Sequence, residues 1–135
     1  MLKIAITGSL SSGKSTVSKI ISKKRYPVFD ADIEVKNFYK DYNNIKAMRN
    51  KFRIKGKKNI KELIKEKLQK KVIKLKDIEK MIHPYVRKNM RKFVKKNTNK
   101  NVLVFDIPLL VESKLTKFFD ITIFVHSSKK VRIKR

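Results

Sequence analysis

The sequence predicts an α/β protein: a parallel sheet with helices on both faces, interrupted by a helical insertion. Three observations carry this prediction. Residues 2–7 form a short, mostly apolar run that enters a Gly/Ser stretch ending at Gly13, and an amphipathic stretch follows over 14–24. That is the order of a buried strand, a tight loop and a helix. Residues 33–97 then show helical periodicity with a single glycine, Gly56, before strand character returns at 102–107 and again at 121–125.

Taken in order, the first helix is expected to turn Val17, Ile20 and Ile21 inward. Pro27-Val28-Phe29 reads as a second short strand, ending in Asp30-Ala31-Asp32. In the insertion, Ile45, Met48 and Phe52 make one apolar stripe. Ile60, Leu63, Ile64 and Leu68 make another at the i, i+3, i+4, i+8 spacing of a helix face. Pro84 suits a first helical turn, and Val86, Met90, Phe93 and Val94 continue as a third stripe. These stripes are core, not cofactor contacts. Residues 55–58 form a basic loop, and Lys70-Lys71 falls within a helix or at its end. Pro108 breaks the third strand, and Ser127 or Ser128 is placed to cap a helix that still runs at Arg135. The expected organisation is an α/β core of residues 1–33 and 98–128, a helical insertion over 34–97, and a further helical segment at 129–135.

Composition narrows the function. The 135 residues are 41% hydrophobic, enough for a core at this length, and hold no apolar run of about eighteen residues to span a membrane. Without cysteine, disulfides, thiolate metal sites and cysteine nucleophiles are excluded, and the cytoplasm is the expected compartment. The formal charge is +26, yet only seven of the 37 basic residues are Arg. Base readers lean on the planar guanidinium fork, and no aromatic interleaving or zinc motif accompanies the lysines. A solvated, polyanion-attracting surface is expected, without a specific nucleic-acid partner.

Gly8-Ser9-Leu10-Ser11-Ser12-Gly13-Lys14-Ser15 fits G-x-x-x-x-G-K-[ST] in full. Glycines let successive amides point at one phosphate, and the helix N-terminus adds its dipole. Lys14 is expected to reach the β- and γ-phosphates, and the Ser15 hydroxyl to ligate magnesium. Asp30 and Asp32 close a predicted strand, where ligands of open α/β sheets gather. Either carboxylate suits a base for an attacking hydroxyl, and either suits an N-cap of the next helix. Asp106 ends the strand over 102–105, the position of an acid that holds magnesium directly or through water. His83 reads as a cap, a packed ring or a catalyst, and His126 as surface. Glu112 is either a surface charge or a second group near the phosphates.

These segments occur together in one family. Ile6-Thr7-Gly8 with Gly13-Lys14-Ser15-Thr16-Val17, then Val28-Phe29-Asp30-Ala31-Asp32, His83-Pro84-Tyr85-Val86-Arg87, and Asp106-Ile107-Pro108-Leu109-Leu110-Val111-Glu112 resemble dephospho-coenzyme A kinases in order and spacing. The resemblance implies a P-loop NTPase fold like that of nucleoside monophosphate kinases, with a five-stranded parallel core, a helical substrate domain and a lid. It implies transfer of the γ-phosphate of ATP to the ribose 3′-hydroxyl of dephospho-coenzyme A, the last step of coenzyme A synthesis, with Mg²⁺. By that likeness Ser11, Ser12, Gly13, Lys14, Ser15 and Thr16 hold ATP, and Ser15 and Asp106 the metal. Asp32 is then the base, while His83, Arg87 and Arg135 lie on the acceptor side. Ser9 and Ser11 replace glycines usual in the family's loop, and Asn59-Ile60-Lys61 stands where a Leu-Asp-Arg step is usual. Arg135 aligns with an arginine that opens the lid, so most of the lid and the last strand are expected to be missing. The alternatives are another P-loop kinase of a nucleotide or small metabolite, or a non-catalytic basic fragment.

Overall fold

A parallel sheet needs crossovers, and the sequence supplies them. The computed structural model describes residues 1–8, 13–23, 25–108 and 115–126. Strand β1 (Leu2–Gly8) leads to helix α1 (Lys14–Ser22), then strand β2 (Val28–Asp30) and helix α2 (Ala31–Phe38). Three helices follow, α3 (Tyr42–Phe52), α4 (Ile60–Gln69) and α5 (Leu75–Lys96). Strand β3 (Val102–Asp106), a 3₁₀ turn (Thr116–Phe118) and strand β4 (Ile121–Val125) complete the described elements. All strand pairs are parallel, in the order β2-β3-β1-β4.

The chain divides into two compact units, residues 1–32 with 90–135, and residues 33–89. In the first, β1 lies between β3 and β4, and Ala5, Ile6, Leu103, Val104 and Phe105 are fully buried. Central parallel strands are covered on both faces, which explains their unbroken apolar runs. Phe105 stacks obliquely or edge-on with Phe29, Phe93, Phe118 and Phe119, at centroid separations of 5.2–5.9 Å. Such offset geometries suit the ring quadrupole. Asp120 ties β4 to β1: its carboxylate accepts from the Lys3 amide at 2.8 Å, and its own amide donates to the Lys3 carbonyl at 2.9 Å.

In the second unit, Phe38, Met48, Ile54, Ile60, Ile64, Ile78, Ile82 and Val86 are buried. Helix α3 is capped by Asp41, which accepts from the Asn44 amide, and α4 by Asn59, which accepts from the Lys61 amide. Lys70 and Lys71 lie just beyond α4, and Lys71 takes a left-handed conformation at φ 57°.

Two sequence expectations are corrected here. Pro84 lies inside α5 rather than in its first turn. Its missing N–H removes one helical bond, but Ile78, Ile82, Val86 and Met90 are buried on both sides of it. Burial of a continuous stripe outweighs the local break. On α1, Ile20 points to solvent at 63% exposure, and Ser18 and Ser22 face inward instead. Their hydroxyls are satisfied by the Lys14 and Lys19 carbonyls at 3.0 and 3.1 Å, which removes the cost of burying them.

Candidate active site

The carboxyl ends of β1, β2 and β3 lie at one edge of the sheet, and the chemistry-bearing residues gather there. Gly13 adopts a left-handed conformation, φ 92° and ψ 17°, immediately before α1. A residue with a Cβ is disfavoured in that conformation, so the loop's second glycine is what lets the chain turn into the helix. Lys14 and Ser15 then occupy the first turn. Lys14 Nζ donates to Asp106 Oδ1 in an ion pair, and Ser15 Oγ donates to Asp106 Oδ2 at 3.2 Å. One carboxylate thus holds both side chains. It is 4% exposed and the Lys14 side chain 14%, so the pair is largely withdrawn from water. Two hard oxygens, a hydroxyl and a carboxylate, suit Mg²⁺. Among the described residues there is no group of three His, Cys, Asp or Glu side chains able to hold a metal. A magnesium ion bound chiefly through waters and substrate phosphates fits that donor set.

The two aspartates of the Asp-Ala-Asp step part company. Strand β2 ends at Asp30 and α2 begins at the next residue, with no loop between. Asp30 Oδ1 accepts from the Asp32 amide at 2.9 Å, so Asp30 is the residue that caps α2. Asp32 lies within the first turn, exposed. Its cap reading is therefore withdrawn, because the cap position is filled. Asp30 also faces Asp106 across the β2/β3 ladder.

Ser11, Ser12, Glu112 and Arg135 lie outside the described residues. Thr16 is exposed on the first turn of α1. His83 and Arg87 are in the helical unit, on the middle of α5. His83 is buried at 9% exposure and Arg87 is half-buried. His126 is exposed and stacks on Phe124 at 6.4 Å. One polar group escaped the sequence reading: Thr7 Oγ1, just before the loop, is buried with no hydrogen-bond partner among the described residues. Nothing in residue type or spacing marks it, since a Thr in a strand is ordinary.

A strand, a glycine turn and a helix whose Lys and Ser meet a strand-end carboxylate define a P-loop nucleotide-binding protein. The family model described as dephospho-CoA kinase matches residues 2–135. A dephospho-CoA kinase of Fusobacterium nucleatum is 35% identical over 144 aligned positions, covering 98% of this chain and 70% of that protein. One from Rickettsia typhi is 31% identical, covering 100% and 70%, and one from Oceanobacillus iheyensis 32%, covering 99% and 71%. The crystal structure of TT1252 from Thermus thermophilus superposes with a TM-score of 0.79 at 25% identity, covering 98% of this chain and 69% of that one. The chain belongs to the dephospho-CoA kinase family. It is a kinase, a phosphotransferase with an alcohol acceptor, and its place is the final step of coenzyme A biosynthesis, with ATP as the phosphate donor. Among the described residues no helix is long and apolar enough to cross a membrane.

Proposed function

We propose that this chain transfers the γ-phosphate of ATP to the ribose 3′-hydroxyl of dephospho-coenzyme A, with Asp32 as the base. The observation that carries the reading is the convergence of Lys14, Ser15 and Asp106 at the strand ends, with an exposed carboxylate on the next strand's helix. In the proposed step the Asp32 carboxylate takes the acceptor's O–H proton and the acceptor oxygen bonds to the γ-phosphorus. The bond from that phosphorus to the β–γ bridging oxygen breaks, and ADP leaves with the electron pair. Ser11, Ser12, Gly13, Ser15 and Thr16 frame the phosphates. Lys14 exchanges its bond to Asp106 for phosphate oxygens, which places positive charge where negative charge develops. Mg²⁺, held by Ser15 and by Asp106, would neutralise the phosphates and fix their orientation.

In this reading residues 1–33 and 98–128 hold ATP, 34–97 receive the acceptor through His83 and Arg87, and 129–135 with Arg135 begin the lid. The helical unit has a cleft of about 290 Å³ lined by Lys36, Tyr39, Lys40, Asn59, Ile60 and Lys61. Three ammonium groups there suit a diphosphate-bearing acceptor. Lys61 lies over the Tyr39 ring at 5.1 Å, and burial pushes the Tyr39 hydroxyl pKa up, keeping it neutral. The match over residues 2–135 weighs against a different P-loop kinase. An acceptor screen following ADP release tests the proposal. Dephospho-coenzyme A is expected to exceed AMP, CMP and shikimate, and a clear preference for a mononucleotide would overturn it.

A further inference from the structure

We infer that Asp30 is a positioning residue for the reaction, acting through the backbone of Asp32 rather than on substrate. The inference rests on the reading of Asp32 as the base. Several features of the chain converge on it. Strand β2 is only three residues long and, among the described residues, pairs on one side alone, through Val28, Phe29 and Asp30. A strand so short holds its end weakly. Helix α2 starts directly after it, so no loop absorbs an error in the strand's placement. The bond from the Asp32 amide to Asp30 Oδ1 at 2.9 Å fixes the one peptide on which the base is mounted. Ala31, between the two carboxylates, is 1% exposed and anchors the same turn in the core. Asp30 itself is registered against Asp106, whose carboxylate holds Lys14 and Ser15. The side chain thereby links the phosphate-handling cluster to the base through one strand ladder and one hydrogen bond. Small displacements of a reacting group cost large factors in rate, and a group mounted on regular elements is placed more accurately than one on a loop.

The cap needs an acceptor oxygen, not a charge. Asn and Ser cap helices about as well as Asp, Thr less well, and Ala hardly at all. A metal ligand or a second base at Asp30 would instead need the carboxylate. The test measures kcat, both KM values and the melting temperature for Asp30→Asn, Asp30→Ser, Asp30→Thr and Asp30→Ala, beside Asp32→Asn. Asp30→Ala is expected to lower kcat roughly 10- to 100-fold, with KM for ATP unchanged and assays held well below its melting temperature. Asp30→Asn is expected to recover the rate to within about threefold, with Ser close behind and Thr lower, following the capping order. Should the Ala variant not fold, the Asn, Ser and Thr series still decides. If Asp30→Asn loses as much as Asp30→Ala, or as Asp30→Thr in its place, the carboxylate acts by itself and the inference is wrong. A series that leaves kcat flat overturns it equally. Asp32→Asn reports separately: full kcat in that variant removes the base reading, whatever the Asp30 series shows.

Discussion

Two ion pairs of the same chemical kind sit in very different surroundings. Lys14 and Asp106 meet at the sheet's carboxyl edge with side chains 14% and 4% exposed, whereas Lys58 and Glu66 meet in the helical unit at 64% and 45%. The first pair joins Lys14 of the P-loop motif to the end of β3, and the second belongs to a lysine-rich surface that accounts for most of the +26 charge. The two pairs differ in desolvation, not in charge. A largely buried ammonium and carboxylate act through a low dielectric and hold defined positions, while solvated lysines are screened and mobile.

The largest expected effect comes from breaking the buried pair. Asp106→Ala leaves the Lys14 ammonium without its partner, and should cost about 3–5 kcal/mol in a denaturant titration. A loss under 1 kcal/mol would mean that Lys14 turns to solvent at no cost, and the contrast between the two pairs would fail. Pro84→Ala comes next, with the opposite sign. Pro84 is exposed within α5, and restoring its N–H should raise stability by about 1–3 kcal/mol. A lower melting temperature in that variant would show that the proline itself is needed for packing. Smallest is Glu66→Gln on the surface pair, expected to change stability by about 0–1 kcal/mol, less at high salt. A larger loss would give the lysine surface a structural role.

Much of this arrangement was legible in the residues. Short apolar runs placed β1, β3 and β4, helical periodicity placed the insertion's helices, and the glycine motif located Lys14 and Ser15 because its fixed residue types serve one geometry. The hidden parts are those where tertiary burial decides. Nothing local shows that α5 runs through Pro84, since the cost of one lost bond is offset by side chains that meet only in the fold. The exposure of Ile20 and burial of Ser18 and Ser22 depend on which face α1 turns to the sheet. That Asp30 rather than Asp32 caps α2 depended on a boundary one residue wide, the least certain quantity in any reading of helix ends.

In the proposed function phosphate binds at the P-loop cluster and not on the basic surface. Calorimetry of Mg-ATP binding to the unmodified protein and to Lys14→Ala, repeated at low and high salt, tests it most directly. One site per chain that survives high salt is expected in the unmodified protein, and no detectable binding at high salt in Lys14→Ala. Equal affinities in the two proteins, falling together as salt rises, would contradict it, because the phosphates would then be held by the surface lysines.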